Sequence, residues 1–333
     1  MGNSLIFPVP ESASLGDRLD RWMGRWRSGG IEHYAAGEIG PSAARWASGE
    51  RFAVNEERIW LDALPEAFSG LRIVQISDIH HGLFLPQQWL AEAVQQTNRL
   101  HADIVVLTGD FITYSRANIE PAAEILGRLR ARYGVLAVLG NHDFRVGADA
   151  VTAALRRKRI EVLRNQHVTV QFGGASLYFA GVDDYGYGAD VRRAVRGIPR
   201  DAATVLLAHN PRIISLASRN GVSLVLSGHT HGGQVNLPLL GTVYGRSPQR
   251  LRYKIGWDRL GATQIYVSRG IGTIVLPWRL RCPAEITHLE LLCGTPDHSH
   301  QIQQTDAVST FMPNVLGEAS NQRFHLSEQQ SRN

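Results

Sequence analysis

Histidine, aspartate and asparagine residues recur in five short clusters in the middle of the chain. Imidazole nitrogen with carboxylate and amide oxygen, and without cysteine thiolate, is a ligand mixture typical of Mn, Fe, Zn or Co. One such residue carries little information, because a single histidine is more often a capping or core residue. Five clusters of the same residue types indicate a metal site. They are Asp78 and His80; Asp110; Asn141, His142 and Asp143; His209 and Asn210; and His229 and His231.

Each cluster directly follows an apolar run that predicts a buried β-strand. Short runs rich in valine and isoleucine and bounded by glycine are typical of strands buried on both faces. In open α/β sheets, ligands bind at the carboxyl ends of the strands, so we expect the clusters to converge there. The runs are 71–77, 103–109, 134–140, 204–208 and 222–228, and a further run of the same kind spans 175–181.

Helical segments are predicted between the first strands, over residues 87–100 and 120–133. Later strands, at 168–172, 264–267 and 286–292, come as hairpin-like pieces. This order predicts an α/β fold in which helices cover mixed sheets.

Three regions are expected along the chain. Residues 1–68 form an N-terminal extension, residues 69–294 the main domain, and residues 295–333 a polar tail that we expect to be disordered. The extension contains an amphipathic pattern, with tryptophan and leucine on one face and arginine on the other, which favours peripheral membrane contact through residues 15–27. The alternative is a helix that packs its apolar face on the protein's own core.

The composition argues against a disulfide-stabilised or membrane-spanning protein. The 333 residues are 44% hydrophobic, and two cysteines are too few for a disulfide framework. Neither a membrane-spanning segment nor a signal peptide is evident, so a cytoplasmic location, with membrane association left open, is expected. A net charge of +5 permits an anionic partner. Without a lysine-rich stripe, no specific nucleic-acid partner is expected.

Taken together, the motifs resemble those of the calcineurin-like metallophosphoesterases over residues 69–292. The segments SDIHHG, LAHNP and SGHTHGGQV are similar to the small bacterial phosphoesterases of the YaeI/YkuE type. The resemblance implies two mixed β-sheets packed face to face with flanking helices. It rests on D-x-H at 78–80, G-D at 109–110, G-N-H-D at 140–143, His209, and G-H-x-H at 228–231.

The resemblance also implies two divalent metal ions, with Mn favoured over Fe, Zn or Co, that are bridged by Asp110. Asp78, His80 and His231 would hold the first ion, and Asn141, His209 and His229 the second. If the GHTH segment is extended, His229 and His231 point to the same side.

Two further residues are assigned catalytic roles. His142 would face the substrate and either stabilise the phosphoryl group or protonate the leaving oxygen. Asp143, directly after it, would orient His142 or, alternatively, cap the turn that follows the strand. The pair of cations would lower the pKa of a bridging water to about 7, and the hydroxide would attack phosphorus.

The substrate is expected to be a small-molecule or lipid phosphodiester, or a pyrophosphate. Protein phosphatases of this superfamily continue G-D-x-x-D-R, whereas Thr113 and Tyr114 stand here, which argues against a phosphoprotein. Apolar loops at 83–85, 237–240 and 276–278 favour a lipid-linked substrate at a membrane surface. A nucleotide or nucleic-acid phosphodiesterase or nuclease is the alternative, and a non-catalytic scaffold is less favoured. Three arginines are candidates for holding a phosphate: Arg145, Arg269 and Arg279.

Overall fold

The computed structural model describes residues 38–39, 51–237, 241–242 and 253–295. The predicted amphipathic helix, most of the 237–240 loop and the polar tail lie outside the described residues. None of the helices within these ranges is long and apolar enough to cross a membrane.

The described residues form sixteen strands and five α-helices. The strands are β1 (Glu38–Ile39), β2 (Ala53–Leu61), β3 (Leu71–Ile76), β4 (Ile104–Leu107), β5 (Val135–Ala137), β6 (Ile160–Val162), β7 (Gln166–Phe172), β8 (Ala175–Gly181), β9 (Thr204–Leu207), β10 (Leu224–Ser227), β11 (Asn236–Leu237), β12 (Gly241–Thr242), β13 (Gly256–Leu260), β14 (Thr263–Val267), β15 (Arg279–Leu280) and β16 (Glu285–Cys293). The helices are α1 (Gln87–Arg99), α2 (Ile119–Leu126), α3 (Asn141–Arg157), α4 (Val191–Ala194) and α5 (Ile214–Arg219). Short 3-10 turns occur at Glu66–Phe68, Arg116–Asn118, Pro211–Ile213 and His231–Gly233.

Two six-stranded sheets build the fold. The first sheet has the order β2-β16-β3-β4-β5-β6, and its strands β3 to β6 are parallel. The second has the order β13-β14-β10-β9-β8-β7, with β8, β9, β10 and β14 parallel. In both sheets antiparallel neighbours complete the order, so both are mixed. Two small pairs, β1-β15 and β11-β12, stand apart.

The core is layered. A central cluster joins inward side chains of both sheets, a second lies between the first sheet and α1 to α3, and a third covers the outer face of the second sheet beneath α4 and α5. Strands β4, β5, β9 and β10 are buried along their whole length, as the continuous apolar runs predict. The predicted pair of mixed sheets with flanking helices is therefore confirmed.

The start of the domain differs from the prediction. Strand β2 pairs in parallel with β16 along its whole length, so residues 53–61 belong to the first sheet and the predicted boundary at 68 falls inside the folded unit. The segment AVNEERIWL has four consecutive polar residues, Asn55 to Arg58, in place of a continuous apolar run, which hid a strand that is only partly buried. Helix α2 also ends at Leu126, before Gly127, rather than near residue 133.

The two sheets place their strand ends against each other. The buried side chain of Gln75, on β3, donates hydrogen bonds to Thr108 Oγ1 beyond β4 and to Ser227 O on β10, both at 2.9 Å. One glutamine thus connects two strand ends of the first sheet to one of the second. The carboxyl ends that carry the predicted ligands consequently face a common space.

Candidate metal centre

The structure brings the predicted ligands together in two groups. In each group the ligand atoms all lie within 4.8 Å of one another. The first group, named here the first triad, is Asp78, His80 and His231. The second triad is Asp110, His209 and His229.

The first triad is fully buried. The Nε2 atoms of His80 and His231 lie 3.0 Å apart, and their rings stack with centroids 4.9 Å apart. His231 Nε2 also lies 3.4 Å from Asp78 Oδ1. Three donor atoms from two strand ends therefore point at one another.

Neighbouring groups fix the direction of two side chains in this triad, His80 and Asp78. His80 Nδ1 bonds Thr113 Oγ1 at 2.8 Å, which leaves Nε2 for the centre. The Asp78 carboxylate accepts from Ser77 Oγ at 2.7 Å and from the backbone N–H of His229. Such outer partners orient metal-binding histidines and carboxylates in proteins.

The second triad is arranged around a bridging position. His209 Nδ1 donates to the Thr108 carbonyl at 2.8 Å, so Nε2 faces Asp110 Oδ2 at 3.1 Å and His229 Nδ1 at 3.2 Å. Asp110 Oδ2 is also 3.6 Å from His80 Nε2. Asp110 thus stands between the triads, where the resemblance placed a bridging ligand.

Asn141 completes the set as the first residue of α3. Its side-chain Oδ1 is buried and has no hydrogen-bond partner. A buried acceptor without a donor is costly in a native protein, and a cation satisfies it. The donor set fits a pair of divalent ions, because imidazole nitrogens converge beside carboxylates and an unpaired amide oxygen.

The local electrostatics differ between the histidines. Burial lowers the pKa of His80 and His231 well below the usual value, so both rings are neutral, and two neutral rings with converging Nε2 lone pairs fit a cation. Burial, with the neighbouring His209, lowers the pKa of His229 to about 4. Burial opposes a charge on His209 too, but the Asp110 carboxylate outweighs it and raises the pKa of His209 to about 10.

Backbone strain is concentrated at the same residues. Non-glycine residues with positive φ are uncommon, cost of order 1–3 kcal/mol each, and cluster at functional sites. Five predicted ligands adopt this conformation: Asp78 (50°), His80 (49°), Asp110 (56°), His229 (73°) and His231 (51°). The GHTH segment is consequently a tight turn, with Thr230 helical, and the extended geometry predicted for it is wrong.

Two glycines leave room for the carboxylates. A Cβ on Gly140 would overlap the Asp110 carboxylate, and a Cβ on Gly228 would overlap Ser77 Oγ and the Asp78 carboxylate. The glycines of the G-N-H-D and G-H-x-H motifs are therefore required for space rather than for conformational freedom.

His142 lies beside the first triad. Its ring is partly buried and meets the His80 ring edge-on, with centroids 5.0 Å apart. Its backbone N–H donates to Asp110 Oδ1 at 2.8 Å, and its Nδ1 lies 3.4 Å from the Thr113 carbonyl. The His142 ring therefore lies at the edge of the first triad, and its backbone contacts Asp110 of the second.

Asp143 does not orient His142, contrary to the expectation from sequence. Its carboxylate accepts backbone N–H groups from Asp110, Phe111, Ile112 and Gly140, at 2.9 to 3.2 Å. Burial and the nearby Asp110 carboxylate raise its pKa to about 8, while the four donors favour the ionised form. Asp143 ties the turn after β4 to the start of α3, and so places Asp110.

The candidate phosphate-binding arginines have other contacts. Arg279 is buried and donates to the carbonyls of Gly272, Arg269 and His231, which holds the loop behind the first triad. Arg269 pairs with buried Glu285 at 3.4 Å. Arg145 is exposed.

Sequence reasoning missed Thr113 and Ser77, which orient ligands, and Asp184, which lies buried near the second triad. Thr113 was recognised only as a departure from G-D-x-x-D-R. Asp184 follows the apolar run at 175–181, and inspection of that strand end would have found it.

Comparisons with known proteins show the family to which the chain belongs. A family model described as calcineurin-like phosphoesterase matches residues 71–233. The uncharacterized metallophosphoesterase YkuE of Bacillus subtilis is 32% identical over 251 residues, which are 73% of this chain and 87% of that protein. Phosphodiesterase YaeI of Escherichia coli is 29% identical over 227 residues, covering 66% of this chain and 82% of that one.

Longer relatives match as well. A protein of Danio rerio named transmembrane protein with metallophosphoesterase domain is 34% identical over 253 residues, or 72% of this chain. The match spans 57% of that protein, and 57% of the Bos taurus protein of the same name. The family expected from the motifs is confirmed, and the chain belongs to the calcineurin-like phosphoesterases.

Proposed function

We propose that this protein is a dinuclear, divalent-metal-dependent hydrolase of phosphodiester or pyrophosphate bonds, with Mn²⁺ as the favoured metal. One observation carries the proposal: Asp110 of the second triad also lies 3.6 Å from His80 Nε2 of the first, and the buried Asn141 Oδ1 has no hydrogen-bond partner. Asp78, His80 and His231 would hold one ion, and Asn141, His209 and His229 the other, with Asp110 common to both.

The chain's own residues supply positioning and proton transfer. When bound, two cations neutralise charge on a phosphoryl group and make a water acidic enough to act as a nucleophile. His142, whose ring meets that of His80 in the first triad, would protonate the departing oxygen, a role for which an imidazole is suited. The four N–H groups on Asp143 hold Asp110 so that the two triads keep their spacing.

A diester or pyrophosphate is favoured over a dianionic monoester. Thr113 stands where protein phosphatases have a second aspartate, and its hydroxyl bonds His80. Among the described residues, Arg279 donates its hydrogen bonds to backbone carbonyls, and Arg269 forms an ion pair with Glu285. Fewer cationic side chains are then left beside the triads to hold a second negative charge.

An apolar rim supports a lipid-linked substrate. Val275 is 58% exposed and Ile255 is 41% exposed. The Ile255 side chain packs against Gly232, next to His231. The buried Gln234 side chain donates to the carbonyls of Ile274, Leu276 and Trp278, so the loop bearing Val275 is held to the turn that carries His231. Large exposed apolar side chains beside a polar site are typical of contact with a membrane or an apolar ligand.

The first experiment tests the chemistry. With Mn²⁺, the wild-type protein is expected to hydrolyse bis(p-nitrophenyl) phosphate, and Asp110→Asn to lose turnover by at least about 100-fold, beyond the usual effect of an outer partner. The matched control is Asp201→Asn, an exposed residue before the amino end of β9, which should keep full turnover. Wild-type turnover in Asp110→Asn, or none in the wild type with any divalent metal, would refute the proposal.

The same assay tests the lipid substrate. Turnover of a phospholipid diester in mixed micelles is compared with turnover of the aryl diester. Val275→Asp should lower the lipid-to-aryl ratio, and it should fold because aspartate tolerates the positive φ of 64° better than valine. Phe172→Asp is the control, since this side chain is 43% exposed at the hairpin on the opposite edge of the sheet. An equal fall in both variants, or in neither, contradicts the lipid rim.

A further inference from the structure

Asp184 is a buried carboxylate with half of its hydrogen-bonding capacity unused. The side chain is 3% exposed, and Oδ1 accepts the Gly186 N–H at 2.9 Å. Oδ2 is buried and has no hydrogen-bond partner. Burying an unpaired charged oxygen is costly, so the position calls for a ligand that satisfies it.

The sheet places Asp184 next to the second triad. Strand β8 lies parallel to β9, with Gly181 paired to Leu207 and the Val182 N–H donating to the Leu207 carbonyl. The chain reaches Asp184 two residues later, at the edge where His209 follows β9. The Asp184 charge favours the protonated form of His209, and burial, with the Asp110 carboxylate nearby, raises the pKa of Asp184 itself.

The adjacent Asp183 is used differently. It pairs with Arg164, at 2.9 and 3.2 Å, and its backbone N–H donates to the Asn165 side chain, which also accepts the Asp190 N–H. These contacts fix the loop after β8. These contacts hold the backbone at Asp184 in place, while Asp184 Oδ2 remains without a hydrogen-bond donor.

The two triads differ in the number of carboxylates available to a cation. Asp78 belongs to the first triad alone, whereas the second has only the shared Asp110. A divalent ion at the second position would have no carboxylate of its own. Asp184 is outside the compact group formed by Asp110, His209 and His229, so it would act as an outer partner rather than as a direct ligand.

We propose that Asp184 is the outer carboxylate of the second metal position and that it strengthens the binding of a divalent cation by Asp110, His209 and His229. It supplies the negative charge that this triad lacks, and its Oδ2 accepts a hydrogen bond from water in the coordination sphere. Outer partners of this kind typically change metal affinity 10–100-fold. The inference rests on the proposed function only in that both triads bind cations.

The test is Mn²⁺ binding to the full chain at fixed pH, measured by isothermal titration calorimetry without substrate. Asp184→Asn should weaken the second Mn²⁺ about 10–100-fold and leave the first unchanged. The asparagine Oδ1 can still accept the Gly186 N–H, so the loop is expected to keep its fold. Asp201→Asn removes the same charge at an exposed position outside this loop and should leave both affinities as in the wild type.

Asp184→Glu provides a second measurement, since it keeps the charge and should bind the second Mn²⁺ more tightly than Asp184→Asn. The absorption spectrum of the Co²⁺-loaded protein should change for one of two ions in Asp184→Asn. Wild-type affinity for both ions in Asp184→Asn, or an equal loss at both sites, overturns the proposal. Because no substrate is present, a protein that binds two ions but fails to cleave diesters would refute the proposed function and leave this inference standing.

Discussion

The two triads contain similar ligands but differ in how far they are prepared for a cation. In the first, burial keeps His80 and His231 neutral, and Asp78 is locked by Ser77 and by the His229 N–H. In the second, His209 holds a proton against Asp110, and His229 is partly exposed. The first triad is thus preorganised, whereas the second must lose a proton before it can bind.

The difference arises from what contacts the outer atoms of each side chain. His80 is oriented by the hydroxyl of Thr113, and the carbonyl of His231 is held by Cys282 and Arg279. His209 has a backbone carbonyl as its outer partner. Side-chain hydroxyls orient His80 and Asp78 in the first triad, whereas His209 of the second triad is held by a carbonyl and by the charge of Asp110.

The largest expected effect comes from Asp78. In Asp78→Asn an amide nitrogen competes for the place of a carboxylate oxygen that accepts the His229 N–H, so the turn carrying the second triad is disturbed as well. We expect Mn²⁺ content to fall at both positions and diester turnover to fall at least about 100-fold.

His209→Ala is the comparison, because it removes a ligand of the second triad only. It should retain one Mn²⁺ per chain after gel filtration, measured by inductively coupled plasma mass spectrometry. If Asp78→Asn also retains one ion, the triads are independent and the coupling through His229 is absent.

A smaller effect is expected at Thr113. Thr113→Val keeps the shape of the side chain but removes the hydroxyl that fixes the ring of His80. Loss of an outer partner should weaken the first Mn²⁺ about 10-fold or somewhat more, without changing the second. Thr113→Ser should behave as the wild type in the same calorimetric titration. Equal Mn²⁺ affinities in the valine and serine variants would show that the first triad binds its ion without the hydrogen bond from Thr113 to His80.

Much of this centre could be predicted from the sequence because it depends on local pattern. Apolar runs bounded by glycine identified β3, β4, β5, β9 and β10, and the side chain types after them identified the ligands. The packing of parallel strands then determines where those ends meet.

What the sequence did not show depends on contacts between distant segments. The hydroxyl of Thr113 contacts His80 only when β3 and β4 are paired. The role of Asp143 depends on backbone N–H groups from two separate turns, which only the folded chain brings together. Strand β2 was missed because its partner, β16, lies more than 200 residues away. Asp184 was within reach, since it follows a predicted strand whose end was not inspected.

Proton release provides the finest distinction between the triads. The pKa of His209 is about 10 in the metal-free protein, so near pH 7.5 the ring is protonated and must give up this proton when a cation binds at Nε2. Affinity for the second Mn²⁺ should then fall by up to about tenfold for each unit that the pH is lowered. His80 and His231 have pKa values well below 6.5, so the first Mn²⁺ should show no such fall between pH 8 and 7. Calorimetry in two buffers of different ionisation enthalpy should count one proton released with the second ion and none with the first. Equal release at both steps would mean that the two triads are equally prepared, and would remove the contrast between them.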